Sequence, residues 1–447
     1  MEYIRTKLLK FDLNPPRVLV LGFLALILMG GILLSIPQAT ASGNNTSFLD
    51  ALFTSASASC VTGLVVLNTA DHWSIFGQVI ILLLIQAGGL GIMTMATIVS
   101  LIAGKKISLK ERLIIKEQMN QETLSGLVKL IRYVIFLTFA IEALGAVFLS
   151  FSFIPIYGIK KGIWFSVFHS ISAFCNAGFD ITGDSLMSFT NSYLTITTIS
   201  LLIIIGGIGF AVILDIAKNR RWARLGLHTK LVLTISGGLL LLGSVFFFIL
   251  EYSNPDTLGS MSFIEKIFAA VFASVVPRTA GFNSIDVSLM RESSAFLTII
   301  LMFIGGSPGS TAGGIKTVTF GVILISTISI IRGNRDTEAF KKTINPEIIS
   351  KSLAIVTAGM GLVLFMAFVL TITEGKEFLD VLFESASAFA TVGLSRGITP
   401  DLTDIGKVII MLTMYAGRVG PLTMAFAIGY NKKHRRYKYS EGHISVG

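Results

Sequence analysis

Residues 383–393 read Phe383-Glu-Ser-Ala-Ser-Ala-Phe-Ala-Thr-Val-Gly393, a run of small and apolar side chains apart from Glu384 that ends on a glycine. The same phrase occurs three more times. The copies are Phe53-Thr-Ser-Ala-Ser-Ala-Ser-Cys-Val-Thr-Gly63, Phe168-His-Ser-Ile-Ser-Ala-Phe-Cys-Asn-Ala-Gly178 and Val271-Phe-Ala-Ser-Val-Val-Pro-Arg-Thr-Ala-Gly281. The glycines are 115, 103 and 112 residues apart, and each is followed by Leu64, Phe179, Phe282 or Leu394. Self-similarity at a near-constant period makes the repeat the unit of the fold.

A long apolar span precedes each copy and another follows it. Within the following span lies a cluster of small residues: Gly88-Gly89-Leu90-Gly91, Gly206-Gly207-Ile208-Gly209, Gly305-Gly306-Ser307-Pro308-Gly309 and Ala416-Gly417-Arg418-Val419-Gly420. Runs such as Val18 to Ile36, Leu231 to Leu250 and Leu353 to Ile372 approach the ~20 residues that a helix needs to cross hydrocarbon. Only 14% of the 447 residues are charged and 53% are apolar, with mean hydropathy +0.77. A water-soluble domain carries roughly a quarter charged residues, so the solvent expected here is a bilayer.

The net charge of +10 does not point to nucleic acid, because of where it sits. Twenty-six of the 36 Lys and Arg fall in segments 1–17, 104–132, 218–230, 332–351 and 431–447. These alternate with paired apolar spans, which is the positive-inside pattern and places them, with both termini, in the cytoplasm. The expected fold is an all-α polytopic membrane protein with eight transmembrane spans in the cell membrane. Four M1–P–M2 repeats cover 1–104, 105–226, 227–335 and 336–447, the last carrying the basic tail. The N-terminal basic residues, apolar run and Ala39-Thr40-Ala41 imitate a signal peptide, but the run is long for one and opens every later repeat. Cys60 and Cys175 support neither a disulfide framework nor a metal site.

The quoted segments are too short to cross. About three helical turns span 15–18 Å, and irregular backbone at membrane depth is tolerated only when buried in protein or facing water. Four half-crossing helices from one chain, meeting on one axis in pseudo-fourfold arrangement, make a pore. Backbone carbonyls can replace the hydration shell of a cation there, and the unusual backbone this needs is one that glycine tolerates. Each helix would also aim its negative C-terminal end at the axis. The bland reading, glycine as a close-packing residue, suits the second-span clusters as well as a pore-lining one does.

Thr391-Val392-Gly393-Leu394 resembles the core of the potassium-channel filter, and four degenerate copies in one chain resemble the Trk/Ktr/HKT superfamily of potassium transporters. The resemblance covers essentially the whole chain and is greatest to the membrane subunits of bacterial Ktr systems. It implies a potassium filter made of Val61, Thr62, Gly63, Asn176, Ala177, Gly178, Thr279, Ala280, Gly281, Thr391, Val392 and Gly393. One glycine per loop, where the channels have Gly-Tyr-Gly, implies fewer sites and weaker discrimination against sodium. In plant members, serine at the first-loop glycine goes with sodium selectivity; here all four positions are glycine, which favours potassium. The resemblance further implies a homodimer on a cytosolic nucleotide-binding ring that regulates opening. Lys432-Lys433-His434-Arg435-Arg436 and Lys105 to Arg132 are docking candidates, which membrane lipid headgroups would explain equally well.

The third repeat breaks the pattern. Gly305, Gly306, Ser307, Pro308, Gly309, Ser310, Thr311, Ala312, Gly313 and Gly314 hold five glycines and a proline, so no continuous helix is expected. If the second spans line the pore, this loop lies under the filter as a gate, with Lys316 beside it. Arg418, mid-span in repeat four, is expected to face the interior as a barrier to cations and a partner of the loop. Snorkelling, or pairing with a carboxylate such as Asp215, is the alternative. Glu142 and Glu384 read as structural. Gly309 to Thr317 imitates a phosphate loop, but Ile315 interrupts the motif and no soluble strand precedes it, so nucleotide binding by this chain is rejected. An alternating-access cation carrier, with sodium as coupling ion, is the competing function. Catalysis is not expected: the five histidines are scattered, and His169 reads as a buried, hydrogen-bonded one. No cofactor is expected beyond potassium as the transported ion.

Overall fold

The computed structural model describes residues 15–91, 94, 113, 127–424 and 442. The chain is helical, and its order repeats. A long apolar helix, a short helix, a loop and a second helix form each unit. Unit one comprises α1 (Pro15–Leu34), α2 (Phe48–Cys60) and α3 (Ile75–Leu90). Unit two begins with α4 (Leu127–Phe174), in which the long and short helices run together across a break at Gly158 (φ 77°), and continues with α5 (Tyr193–Ile208) and α6 (Phe210–Lys218). Unit three has α7 (Leu227–Glu251), α8 (Phe263–Val275), α9 (Glu292–Phe303) and α10 (Thr317–Ile331). Unit four has α11 (Pro346–Glu374), α12 (Phe378–Ala390) and α13 (Asp404–Val419). Among the described residues, the departures from an all-helical fold are a small hairpin, β1 (Glu338–Ala339) with β2 (Lys342–Thr343), and the isolated bridges Thr40 to Trp73 and Ile304 to Ile315.

The long helices turn apolar side chains outward. Within α1, α4, α7 and α11, only 22–33% of each most apolar window is buried, and Leu28, Phe136, Leu241 and Phe368 stand exposed. That face suits hydrocarbon and not water. Among the described residues four helices are long and apolar enough to cross a bilayer, five if α5 and α6 count as one bent span.

One joint recurs between the long and short helices. Ser55 Oγ donates to Ile27 O at 2.7 Å, Ser170 Oγ to Glu142 O at 2.6 Å and Ser274 Oγ to Leu240 O at 2.9 Å. Gly30, Gly145 and Gly243 make room, since a Cβ on any of them would run into that serine hydroxyl. A buried hydrogen bond of this kind contributes about 1 kcal/mol, but its geometry also fixes how deep each short helix sits.

The second helices differ from expectation. A break is not confined to the third unit. Helices α3, α5 and α13 end at Gly91 (φ 84°, ψ 141°), Gly209 (φ 99°, ψ 133°) and Gly420 (φ 90°, ψ 136°). At Gly209 the chain bends by 93° into α6. This backbone region is open to glycine and strained for other residues, so in units one, two and four the last glycine of the cluster is where the helix stops.

Candidate functional site

Each short helix leads into a loop of the same shape. Two residues before the anchor the backbone is left-handed: Val61 at φ 59°, Asn176 at 58°, Thr279 at 72° and Thr391 at 54°. The anchors Gly63, Gly178, Gly281 and Gly393 are also positive, at 93°, 69°, 71° and 91°, while the residue between is not. A left-handed Val or Thr is an outlier that persists only where its surroundings impose it.

Hydrogen bonds impose it here. The amides of Thr62, Ala177 and Val392 donate back to the carbonyls of Ser57, Ser172 and Ser387 at 2.8, 2.8 and 2.9 Å. Gly63 N and Gly393 N donate to the hydroxyls of Ser57 and Ser387, and Ser172 Oγ donates to Phe179 O. In the third unit Val275 replaces this serine, and Ala280 N bonds to Val276 O instead. The donors are thereby turned toward the short helices. Among the described residues, the buried carbonyls of Val61, Thr62, Asn176, Ala177, Thr279, Ala280, Thr391 and Val392 accept no hydrogen bond.

The loops meet in a closed cycle. A Cβ on Gly63 would lie 2.5 Å from the Ala177 carbonyl oxygen, and one on Gly178 would lie 2.8 Å from that of Ala280. On Gly281 it would run into the Val392 carbonyl, and on Gly393 into the Thr62 carbonyl. All twelve residues singled out in the sequence thus gather in one place.

The loop 305–314 lies against the base of this ring. A Cβ on Gly313 would strike the Thr391 hydroxyl. Its backbone is held by unit two: Ser307 N donates to Gly207 O at 2.9 Å, Thr311 N to Gly206 O at 3.2 Å, and Phe210 N to Gly309 O at 2.9 Å. Ser310 Oγ donates to Ser307 O, and Thr317 N donates to Gly306 O. Lys316 Nζ closes the loop on itself, donating to Ala312 O at 2.7 Å. Arg418 reaches in from α13, with Nη1 donating to Thr311 O at 2.6 Å and Nη2 to Gly88 O and Gly89 O. It neither snorkels nor meets Asp215, whose carboxylate accepts from Asn219, Gly226 and Thr229. Below the loop opens a cavity of about 310 Å³, lined by Gly91, Pro308, Lys316, Lys351, Arg418 and Gly420 among others.

The second-helix glycines serve close packing. A Cβ on Gly88, Gly206 or Gly417 would collide with the carbonyl of Ser59, Phe174 or Phe389, the end of the short helix in the same unit. His169 is buried with Nδ1 2.7 Å from Phe165 O. Glu142 accepts from Gln86 Nε2 at 3.0 Å, and Glu384 accepts from Ser395 and Thr399. Basic segment 432–436 and most of Lys105 to Arg132 lie outside the described residues. Sequence reasoning passed over the serine six residues before the anchor, although it recurs in three of the four copies, and Arg278, which occurs in one.

Residues 25–434 match the family model TrkH, described as a cation transport protein. The chain belongs to this family. Over 437 residues it is 45% identical to the Ktr system potassium uptake protein B of Bacillus subtilis, covering 97% of each chain. It is 44% identical over 452 residues to the potassium/sodium uptake protein NtpJ of Enterococcus hirae, covering 99% of this chain and all of that one. Its fold is similar to the crystal structure of the potassium transporter TrkH from Vibrio parahaemolyticus, with TM-score 0.72 at 18% identity over 94% of this chain and 86% of that one. As a TrkH-family member the chain is a multi-pass membrane protein of cation transport and not an enzyme.

Proposed function

We propose that this TrkH-family chain carries potassium into the cell through a channel-like pathway. Its four units act as pore-loop repeats with eight spans in pseudo-fourfold order around one pore, and both termini lie in the cytoplasm. The observation that carries this reading is the set of eight buried loop carbonyls that take no hydrogen bond, gathered where four glycine loops close into a ring. A buried carbonyl without a donor is costly, and a dehydrated cation supplies the missing partner. Val61 to Gly63, Asn176 to Gly178, Thr279 to Gly281 and Thr391 to Gly393 form the filter. The loop 305–314, held by Arg418 and closed on Lys316, is the gate, which must move for an ion to pass. No resident cofactor is proposed, potassium being the cargo.

The relatives' printed names support potassium as the ion, and the Ktr system name supports a partner subunit. We propose a homodimer on a cytosolic nucleotide-binding ring, with basic cytoplasmic segments meeting that ring or anionic lipid. The test is growth of a potassium-uptake-deficient bacterium at limiting potassium, paired with flux into liposomes carrying the purified chain. Rescue by the wild type and not by Gly393→Ser is expected; failure of the wild type in both assays overturns the reading. The name of the Enterococcus relative makes sodium the second ion to test. Single-channel currents separate a pore from a sodium-coupled alternating-access carrier, which would give none.

A further inference from the structure

The residue three before each anchor directly precedes the left-handed residue of the turn. In units one, two and four it is neutral and small: Cys60, Cys175 and Ala390. In unit three it is Arg278, 9% exposed. Its guanidinium is folded back from the loop onto α7, with Nη1 donating to Ser236 O at 3.1 Å and Nη2 to Ser236 Oγ at 3.0 Å. Beside it is a cavity of about 20 Å³ lined by Gly207, Ile208, Leu240 and Val275. Among the described residues no carboxylate forms an ion pair with it.

An arginine so placed is unlike the other intramembrane arginine, Arg418, which fastens the loop below. Arg278 is tied to the long helix of its own unit and not to the loop 305–314. Both of its bonds go to one serine of that helix, and the three other units carry no cation at this position. What it adds to the ring is charge. The ring itself is strongly cation-attracting, since unpaired carbonyls and four helix C-terminal ends converge there. A site that holds its ion too tightly does not conduct, because entry must be favourable while exit stays fast. A full positive charge fixed behind one loop weakens binding through a low-dielectric wall without touching the ion.

We propose that Arg278 is an affinity-setting residue of the ion pathway: a buried counter-charge, tethered to Ser236, that keeps the ring from retaining its cation. The inference rests on the pathway reading above. The decisive observation is a direction, because damage to a filter raises KM whereas loss of a repelling charge lowers it.

The measurement is potassium flux into liposomes containing the full chain, with KM and maximal rate separated. Arg278→Gln, which keeps a donor for Ser236, is expected to lower KM roughly tenfold, the effect that a unit charge about 12 Å away exerts at an effective dielectric of about 20. Its maximal rate is expected to fall in parallel. Arg278→Lys should keep KM within about twofold of wild type. Ser236→Asp, which gives the intact arginine a carboxylate partner, should lower KM in the same direction, and it serves as the test if Arg278→Gln does not fold. An unchanged or raised KM in the folded variants, or a failure of lysine to rescue, overturns the inference. If wild-type liposomes carry no potassium flux at all, the pathway reading falls instead.

Discussion

Arg418 Nη1 donates to the Thr311 carbonyl at 2.6 Å, which ties the last helix of the chain to the loop beneath the four glycines. The same guanidinium holds Gly88 O and Gly89 O at the end of α3. One side chain thus fastens units one, three and four beside the loop 305–314.

Removing it should loosen the loop. A hydrogen bond to a charged group is worth about 1.5–3 kcal/mol, and Arg418→Ala deletes all three contacts. Relief of even ~1.4 kcal/mol from the closed arrangement shifts its population about tenfold. Potassium flux in liposomes is expected to rise by roughly that factor, with Arg418→Lys in between. Flux at or below the wild-type level would remove Arg418 from the gate.

The ring should tolerate no side chain. A Cβ on Gly281 runs into the Val392 carbonyl, and its φ of 71° is unfavourable for alanine. Gly281→Ala is expected to reach the membrane at near-normal levels and to lose at least about tenfold in potassium flux, one ring contact of ~1.4 kcal/mol sufficing for that. Gly178→Ala, where the clash is milder at 2.8 Å, should retain more. The reverse order would mean that these carbonyls do not shape the conducting state.

The serine joint should appear in stability. Ser170→Ala removes one buried hydrogen bond to Glu142 O and is expected to cost about 1 kcal/mol. Gly145→Val, which forces the Ser170 hydroxyl and Leu202 aside, should cost more, about 1–3 kcal/mol as an overpacking change. Thermal unfolding in detergent measures both, and equal melting temperatures for the two variants would contradict the joint.

Acid should weaken the chain at His72, which lies in the short helix Thr69–His72 between the first ring loop and α3. Its Nε2 is 2.8 Å from Thr46 Oγ1, and its ring meets Trp73 edge-on at 4.8 Å. Burial pushes its pKa below the ordinary 6.5, while nearby Asp50 pulls the other way. The folded chain therefore binds fewer protons than the unfolded one as pH drops past that value. Stability is kept above it and lost as pH falls through the folded pKa. The melting temperature is expected to drop between about pH 7.5 and about pH 5.5, and His72→Gln should flatten the change.

Much of the fold was legible because its demands are local. A glycine at each anchor, small residues along each short helix and a helix-breaking run at 305–314 are requirements of backbone geometry, and residue type records them. The fourfold spacing of Gly63, Gly178, Gly281 and Gly393 then implies one shared arrangement. The breaks at Gly91, Gly209 and Gly420 were hidden, since glycine in a packed apolar helix serves close approach as readily as it serves a positive φ.

By itself the sequence determined a helical, membrane-embedded chain of four like units, each presenting a glycine loop, with Arg418 and the 305–314 loop set apart from the pattern. Only the tertiary structure decided what those parts touch. Arg418 and Gly88 are 330 positions apart, and nothing in either residue's neighbourhood names the other. Asp215 was as eligible a partner by charge, yet packing places it near Thr229 at 2.5 Å. Backbone conformation follows from the residue that adopts it, whereas a contact across the molecule depends on where every intervening helix comes to rest.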